Sequence, residues 1–171
     1  MRDPVGRVKF HRYLLPVFSA YVFLVGFQGE CQQETRAWRH METHHAALIG
    51  PNGERVEFPV KVADEEHERR AGFQHICPVV IAQIPMLFVF PRSVRVSFHM
   101  NNVYAPLQIG FFDASGKLLD LQIMETYGPP PKERRLYGPR QRVLAVLETE
   151  VGFFDKHGIS PGQWRLVYSA E

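Results

Sequence analysis

The run from Met86 to Gly116 constrains the fold of this chain more than any other stretch. It opens with Met-Leu-Phe-Val-Phe, passes a charged turn, and continues Val-Arg-Val-Ser-Phe-His-Met-Asn-Asn. It then ends Ala-Pro-Leu-Gln-Ile-Gly-Phe-Phe-Asp-Ala-Ser-Gly. These are apolar runs of strand length, separated by turn residues and without a helical period. Along the middle run Val94, Val96, Phe98 and Met100 point one way, into a core. Arg95, Ser97 and His99 share the other face, and Asn101 follows on the same parity.

The flanking segments extend this β reading. Ala46 to Ile49, the turn Pro51-Asn52-Gly53 and Arg55 to Val62 form a hairpin pattern. Val56, Phe58, Val60 and Val62 alternate with polar positions, and Pro59 places that strand at an edge or a bulge. Asp64 is an N-cap for a short helix that Gly72 stops, with Glu65–Arg69 and Glu66–Arg70 at helical spacing. Leu107, Ile109 and Phe111, the turn at Asp113–Gly116, and Leu119, Leu121 and Ile123 make a second hairpin. Glu125 to Arg142, rich in Pro, Gly and Arg, is a long loop. Val143 to Leu147 is apolar enough to be covered on both faces, and Trp164, Leu166 and Tyr168 line the last strand. The expected fold is mainly β, α+β at the margin: a small antiparallel β-sandwich or barrel with one or two short helices.

Arg2, Arg7, Lys9 and Arg12 precede an apolar run from Tyr13 to Phe27. A basic flank followed by a run shorter than the roughly 20 residues of a comfortable span reads as a secretory signal peptide or a signal anchor. The expected organisation is a signal segment at 1–30, a polar linker at 31–43 and a single β-rich domain at 44–171. The domain is then exported: periplasmic, anchored to the inner membrane facing the periplasm, or secreted. The cysteines, Cys31 and Cys77, make no disulfide framework, and nothing in their spacing favours a bridge over two free thiols.

A net charge of +2, with acids and bases interspersed, excludes the concentrated basic stripe of a nucleic-acid binder. No phosphate loop, dinucleotide fingerprint, nucleophile elbow or zincin motif is present, so the sequence calls for no cofactor.

The strongest candidate site is the polar face of the middle run. Arg95, Ser97, His99 and Asn101 lie on it, Asn102 and Tyr104 follow in the connection, and Gln108 opens the next run. If these two runs pair, the polar groups converge at one sheet end as a shallow ligand site, with His99 able to donate, accept or move a proton. Asp113 joins as a more distant carboxylate and could face Glu148, although Asp113 reads as a turn residue and Glu148 as a strand-end residue. His40, His44 and His45, with Glu42 and Met41 nearby, are metal-ligand types in a segment without a cage. Lys132, Arg134, Arg135, Arg140 and Arg142 make the long loop basic, a solvated surface or a contact for anionic lipid or an acidic partner.

These motifs together resemble the domain of unknown function 192 family over about residues 55 to 169. Gly72-Phe73-Gln74 is similar to its Gly-Leu-Met, and Pro85-Met86-Leu87-Phe88 to its Gly-Met-Leu-Phe. Phe98-His99-Met100-Asn101-Asn102-Val103 resembles its Phe-Trp-Met-Lys-Asn-Thr, and Ala105-Pro106-Leu107-Gln108-Ile109 its Ile-Pro-Leu-Asp-Ile. Val146-Leu147-Glu148, Val151-Gly152, Gly158-Ile159 and Gly162-Gln163 fit its later signatures. Apolar and turn positions are kept, whereas His99, Asn101, Gln108 and Gln163 replace the family's polar or aromatic residues. The resemblance implies the fold and no particular chemistry, because the family has no agreed activity. The expectation is an exported β domain that binds a small ligand or an envelope protein, touches the membrane through its N-terminal segment and binds no nucleic acid. Binding is favoured over catalysis; the alternatives are a hydrolase using His99 with Asn101, Asn102 or Asp113, and a metal-handling protein using His40, His44 and His45.

Overall fold

The computed structural model describes residues 31–128 and 134–168. The signal segment expected at 1–30 and Lys132 of the basic loop lie outside them. Among the described residues no helix is long and apolar enough to cross a membrane.

The chain is mainly β. Its strands are β1 (Glu42–Ile49), β2 (Arg55–Ala63), β3 (Met86–Val94), β4 (Leu107–Phe112), β5 (Leu118–Met124), β6 (Val143–Glu150) and β7 (Arg165–Tyr168). Short helices α1 (Arg36–His40), α2 (Glu66–Ala71), α3 (Pro78–Ile81) and α4 (Phe153–Lys156) punctuate them. The strands form one sheet in the order β5-β4-β6-β3-β2-β1-β7. Every pairing is antiparallel except β2 with β3, whose short parallel ladder runs Lys61–Met86 to Ala63–Phe88. That parallel pair needs a crossover, and α2 and α3 supply it. The sheet curls until its two edges touch through an isolated bridge between Lys117 and Arg165, without closing into a barrel ladder.

The two expected hairpins are present. β1 and β2 meet through a turn in which Gly53 takes φ +87° and the Glu54 carboxylate accepts from the Asn52 amide and side chain. Pro59 faces His45 on β1, on a stretch of β2 that β3 does not reach, so its missing donor breaks no second ladder. β4 and β5 pair around the Asp113–Gly116 turn. A bulge at Phe111/Phe112 shifts the parity of β5, so Leu118 and Met124 are buried while Ile123 is 48 % exposed.

One face of the sheet is shared by all the strands and holds Leu48, Val60, Leu87, Phe112, Leu147 and Leu166, closed by Phe154 and Trp164. The opposite face, on β3, β4, β5 and β6, carries Met86, Phe88, Ile109, Phe111 and Val146. The helices and loops bury it with Trp38, Phe73, Ile76, Ile81 and Met100. β4 and β6 lie between the two clusters and are buried on both faces.

Two expectations are overturned here. The stretch at 31–43 is not a linker. Thr35 caps α1 by accepting from the Trp38 amide, and Trp38 is buried against Phe73 at 5.7 Å between ring centroids. Cys31 is bonded to Cys77, with Cα atoms 4.8 Å apart, and Gln32 pairs with the backbone on either side of Ile76. A single buried indole and a bridge across 46 residues order this segment, and neither leaves a periodic trace in sequence. The run Val94–Met100 is not a strand beyond Val94. It stays extended and keeps the expected parity, with Met100 buried and Ser97 and His99 exposed. Beyond Val94, its ladder-type pairing among the described residues is a single bridge between Phe98 and Tyr137, and the Met100 carbonyl accepts from the Val103 amide in the following turn.

Candidate functional site

The polar run and the following strand do not pair. β6 inserts between β3 and β4, so the face expected to converge is dispersed. Gln108 is buried on β4, where its Oε1 accepts from the Gly152 amide, a structural role. Asn102 sits in a turn at φ +55° and its carbonyl accepts from His75. The Tyr104 hydroxyl lies 3.4 Å from His75 Nδ1. Asp113 accepts from Ser115 and Lys117 in the β4–β5 turn and does not meet Glu148. The Asn101 amide donates to His99 Nδ1 at 3.3 Å, and Arg95 is exposed.

His44 and His45 are neighbours on β1 and so face opposite sides of the strand. His44 Nε2 meets Glu42, while His40 stacks edge-on with His67. Among the described residues no group of three His, Cys, Asp or Glu side chains converges as a metal site would require. In the basic loop Arg135 packs on Tyr137 and Arg142 donates to the Ser93 carbonyl, so these charges are tied to the surface of the domain.

What the fold does build is a cleft of about 480 Å³ between α2 and the Val96–His99 segment. Its volume falls within the range of small-molecule sites. Ser97 and His99 line it, as do Phe88 and Phe90 from β3, Phe98, Val103 and Glu148 from β6. The other wall is α2 with its C-terminal turn, from Glu66 through Arg69 and Arg70 to Gln74.

Each part of this cleft has a local cause. α2 starts with a capping box, in which Glu68 accepts from the Glu65 amide, and ends at Gly72 with φ +49°. The cap is therefore Glu65 rather than the expected Asp64. Of the two expected helix pairs, Glu66–Arg70 forms on the exposed side. Arg69 does not meet Glu65. It donates to the carbonyls of Asp64 and Val89 and lies over the Phe90 ring, 5.6 Å from its centroid, stitching α2 to β3. Phe98 stands edge-on to Phe88 at 5.1 Å and to Phe111 at 6.2 Å, which fixes the aromatic wall.

Glu148, read from the sequence as a strand-end residue that could face Asp113, takes a different place. It is 4 % exposed, on the sheet face that the helices cover, and no described residue hydrogen-bonds its carboxyl. Burial pushes its pKa up to about 8. A carboxyl kept neutral by an apolar floor and opening into a cleft is a functional-site candidate on physical grounds. The signal was present: Glu148 closes the run Val-Leu-Ala-Val-Leu, on a strand expected to be covered on both sides, where a carboxyl has no solvated face.

The family model for domain of unknown function 192, described as an uncharacterised ACR, matches residues 47–164. A candidate transcription regulator from Sinorhizobium meliloti 1021 has a similar crystal structure, with a TM-score of 0.66 and 24 % identity. The match covers 75 % of this chain and 95 % of that one. A protein of unknown function from Novosphingobium aromaticivorans DSM 12444 superposes with a TM-score of 0.64 at 20 % identity, covering 74 % of this chain and 86 % of that one. No curated protein matches the chain. Likeness at these identities is likeness of fold, whereas the family match spans most of the domain from β1 to Trp164. The chain belongs to the domain of unknown function 192 family.

Proposed function

We propose that this protein is an exported binding domain whose cleft between α2 and the Val96–His99 segment takes a small ligand in the bacterial envelope. The observation that carries the reading is Glu148, a carboxyl set in the covered sheet face at an aromatic-lined cleft, with no hydrogen-bond partner among the described residues. Among the described residues no side-chain oxygen is sealed off without a partner, so the Glu148 oxygens open onto the cleft, where a ligand can supply the hydrogen bond that the fold does not. Binding is favoured over nucleophilic catalysis because no hydrogen bond joins Ser97 to His99, and Asp113 is engaged in its own turn. Export is supported by the basic and apolar N-terminal pattern and by the Cys31–Cys77 bridge, which suits an oxidising compartment.

A thermal-shift screen of the folded domain with its disulfide intact tests this, with Ser97→Trp alongside to fill the mouth of the cleft. A compound that raises Tm in the parent protein and not in the variant is the expected result. Hits that act equally on both would move the site elsewhere. For export, both cysteines in whole cells should resist maleimide until a reductant is added; prompt labelling would place the domain in a reducing compartment.

A further inference from the structure

Resting on that cleft, we infer that its ligand carries a protonated amine or quaternary ammonium on a compact apolar body, and that Glu148 receives the cation. Of the two described acids in the lining, Glu66 is paired with Arg70 and Glu148 is not paired. The Glu148 carboxyl lies in the covered face of β6, across from Met86 and Ile109, which offer neither charge nor hydrogen bond. An amide or hydroxyl would serve a neutral ligand without the penalty of a buried acid. A carboxyl is justified by a partner of opposite charge, whose attraction is strongest where water is excluded.

The walls point the same way. Phe88, Phe90 and Phe98 present aromatic surface to the space, and such surface attracts a desolvated cation. One instance already exists, since Arg69 rests over Phe90. The other charges of the lining are held in place, Arg69 by neutral carbonyls that leave its charge uncancelled and Arg70 by a carboxylate. Arg69 donates to the Asp64 and Val89 carbonyls, and Arg70 pairs with Glu66. His99 is the remaining titratable side chain of the lining, and Glu150, farther along β6, is exposed.

Binding has a defined proton balance. Below the folded pKa of Glu148 the carboxyl holds a proton; when the ammonium enters, that proton leaves to solvent and the carboxylate–ammonium pair forms. The cation keeps its own proton and no covalent bond changes. Affinity for the cation therefore rises with pH towards about 8.

The test is calorimetry on the folded domain with a panel of benzyl and short n-alkyl ammonium compounds, each matched to the corresponding alcohol and carboxylate. Titrations in two buffers of different ionisation enthalpy count the protons. At pH 7 the expected result is release of about one proton per ammonium bound. Affinity should rise up to about tenfold per pH unit between pH 6 and 7.5. Glu148→Gln should weaken ammonium binding at least about tenfold and abolish proton release, with its own Tm confirming the fold. Phe98→Leu, which keeps bulk and loses the aromatic face, should weaken the ammonium about fivefold and leave the alcohol unchanged. His99→Gln should leave the proton count intact. If the alcohols or carboxylates bind better than the ammonium compounds, or ammonium binding releases no proton, the cation inference falls while the cleft reading stands. If no member of the panel binds, the inference falls, and the Ser97→Trp screen decides the cleft separately.

Discussion

Glu148 stands directly across from Met86 in the ladder between β3 and β6, with Ile109 opposite it on the other side. Its carboxyl is thus held between two apolar neighbours in the middle of a sheet, and this placement sets its titration.

The first prediction concerns stability against pH. An unfolded Glu titrates near ~4.3, whereas folded Glu148 titrates at about 8. At low pH both states are protonated and the group costs nothing by titration. As pH rises through that window the unfolded chain gives up the proton and the folded one keeps it. Stability therefore falls with rising pH and levels off above the folded value. Full expression of the shift is on the order of 5 kcal/mol. Glu148→Gln carries no such titration, so its stability relative to the parent should improve steadily from pH 4 to pH 8. Urea midpoints at those two values check this; a constant difference would mean that Glu148 is solvated in the folded protein.

The second prediction concerns the bridge. Cys31–Cys77 closes a loop of 46 residues, for which chain entropy gives about 4 kcal/mol. Replacing both cysteines by serine should lower stability by about 2–4 kcal/mol in denaturant titrations. It should also expose the α1 segment to protease first, because Gln32, beside Cys31, is held by the strand-like pairing with Ile76 that the bridge maintains. Intact protection of Trp38 in the double variant would show that burial of the indole alone holds α1.

The sequence made visible what is local and periodic. The β1–β2 and β4–β5 hairpins follow from alternation ending at turn residues, and the cover on both faces of β6 follows from its unbroken apolar run. The cleft was only half legible. Ser97 and His99 could be placed on one exposed side of their run, but their opposing wall is α2, brought there by the crossover between β2 and β3. The error over Val94–Met100 has the same origin. Its expected partner β4 is taken by β6, which returns from far along the chain, and no local pattern announces a pairing of that separation. Glu148 was underrated because strand-end position and buried mid-face position look alike until the cover over that face is known.

The third prediction tests close packing inside the curl of the sheet. A Cβ on Gly110 would lie 2.9 Å from Phe154 Cζ and 3.3 Å from Leu121 Cδ2. Phe154 is fully buried and has little room to retreat. Gly110→Ala should cost about 1–3 kcal/mol by overpacking. Phe154→Leu should be less harmful in the Gly110→Ala background than in the parent, giving a favourable coupling in a double-mutant cycle. Strict additivity of the two changes would indicate that α4 shifts as a unit to admit the methyl group.

The fourth prediction separates charge from geometry in the β4–β5 turn. Burial alone would raise the pKa of Asp113. Hydrogen bonds from the Ser115 hydroxyl and the Lys117 and Ser115 amides, with the Arg165 charge, outweigh it and hold the carboxyl below the ordinary aspartate range. A lowered folded pKa means that the stabilisation is present above the unfolded value and is lost as pH falls through the folded one. Arg165 also donates to the Ser115 carbonyl, and the Lys117–Arg165 bridge joins the sheet edges here, so the turn fastens the curl of the sheet. Asp113→Ala should therefore cost about 1–2 kcal/mol at pH 7. The gap from the parent protein should narrow as pH is taken towards 2, followed by thermal melts at each step. An undiminished gap at pH 2 would assign the stabilisation to the neutral hydrogen-bonded turn rather than to the carboxylate.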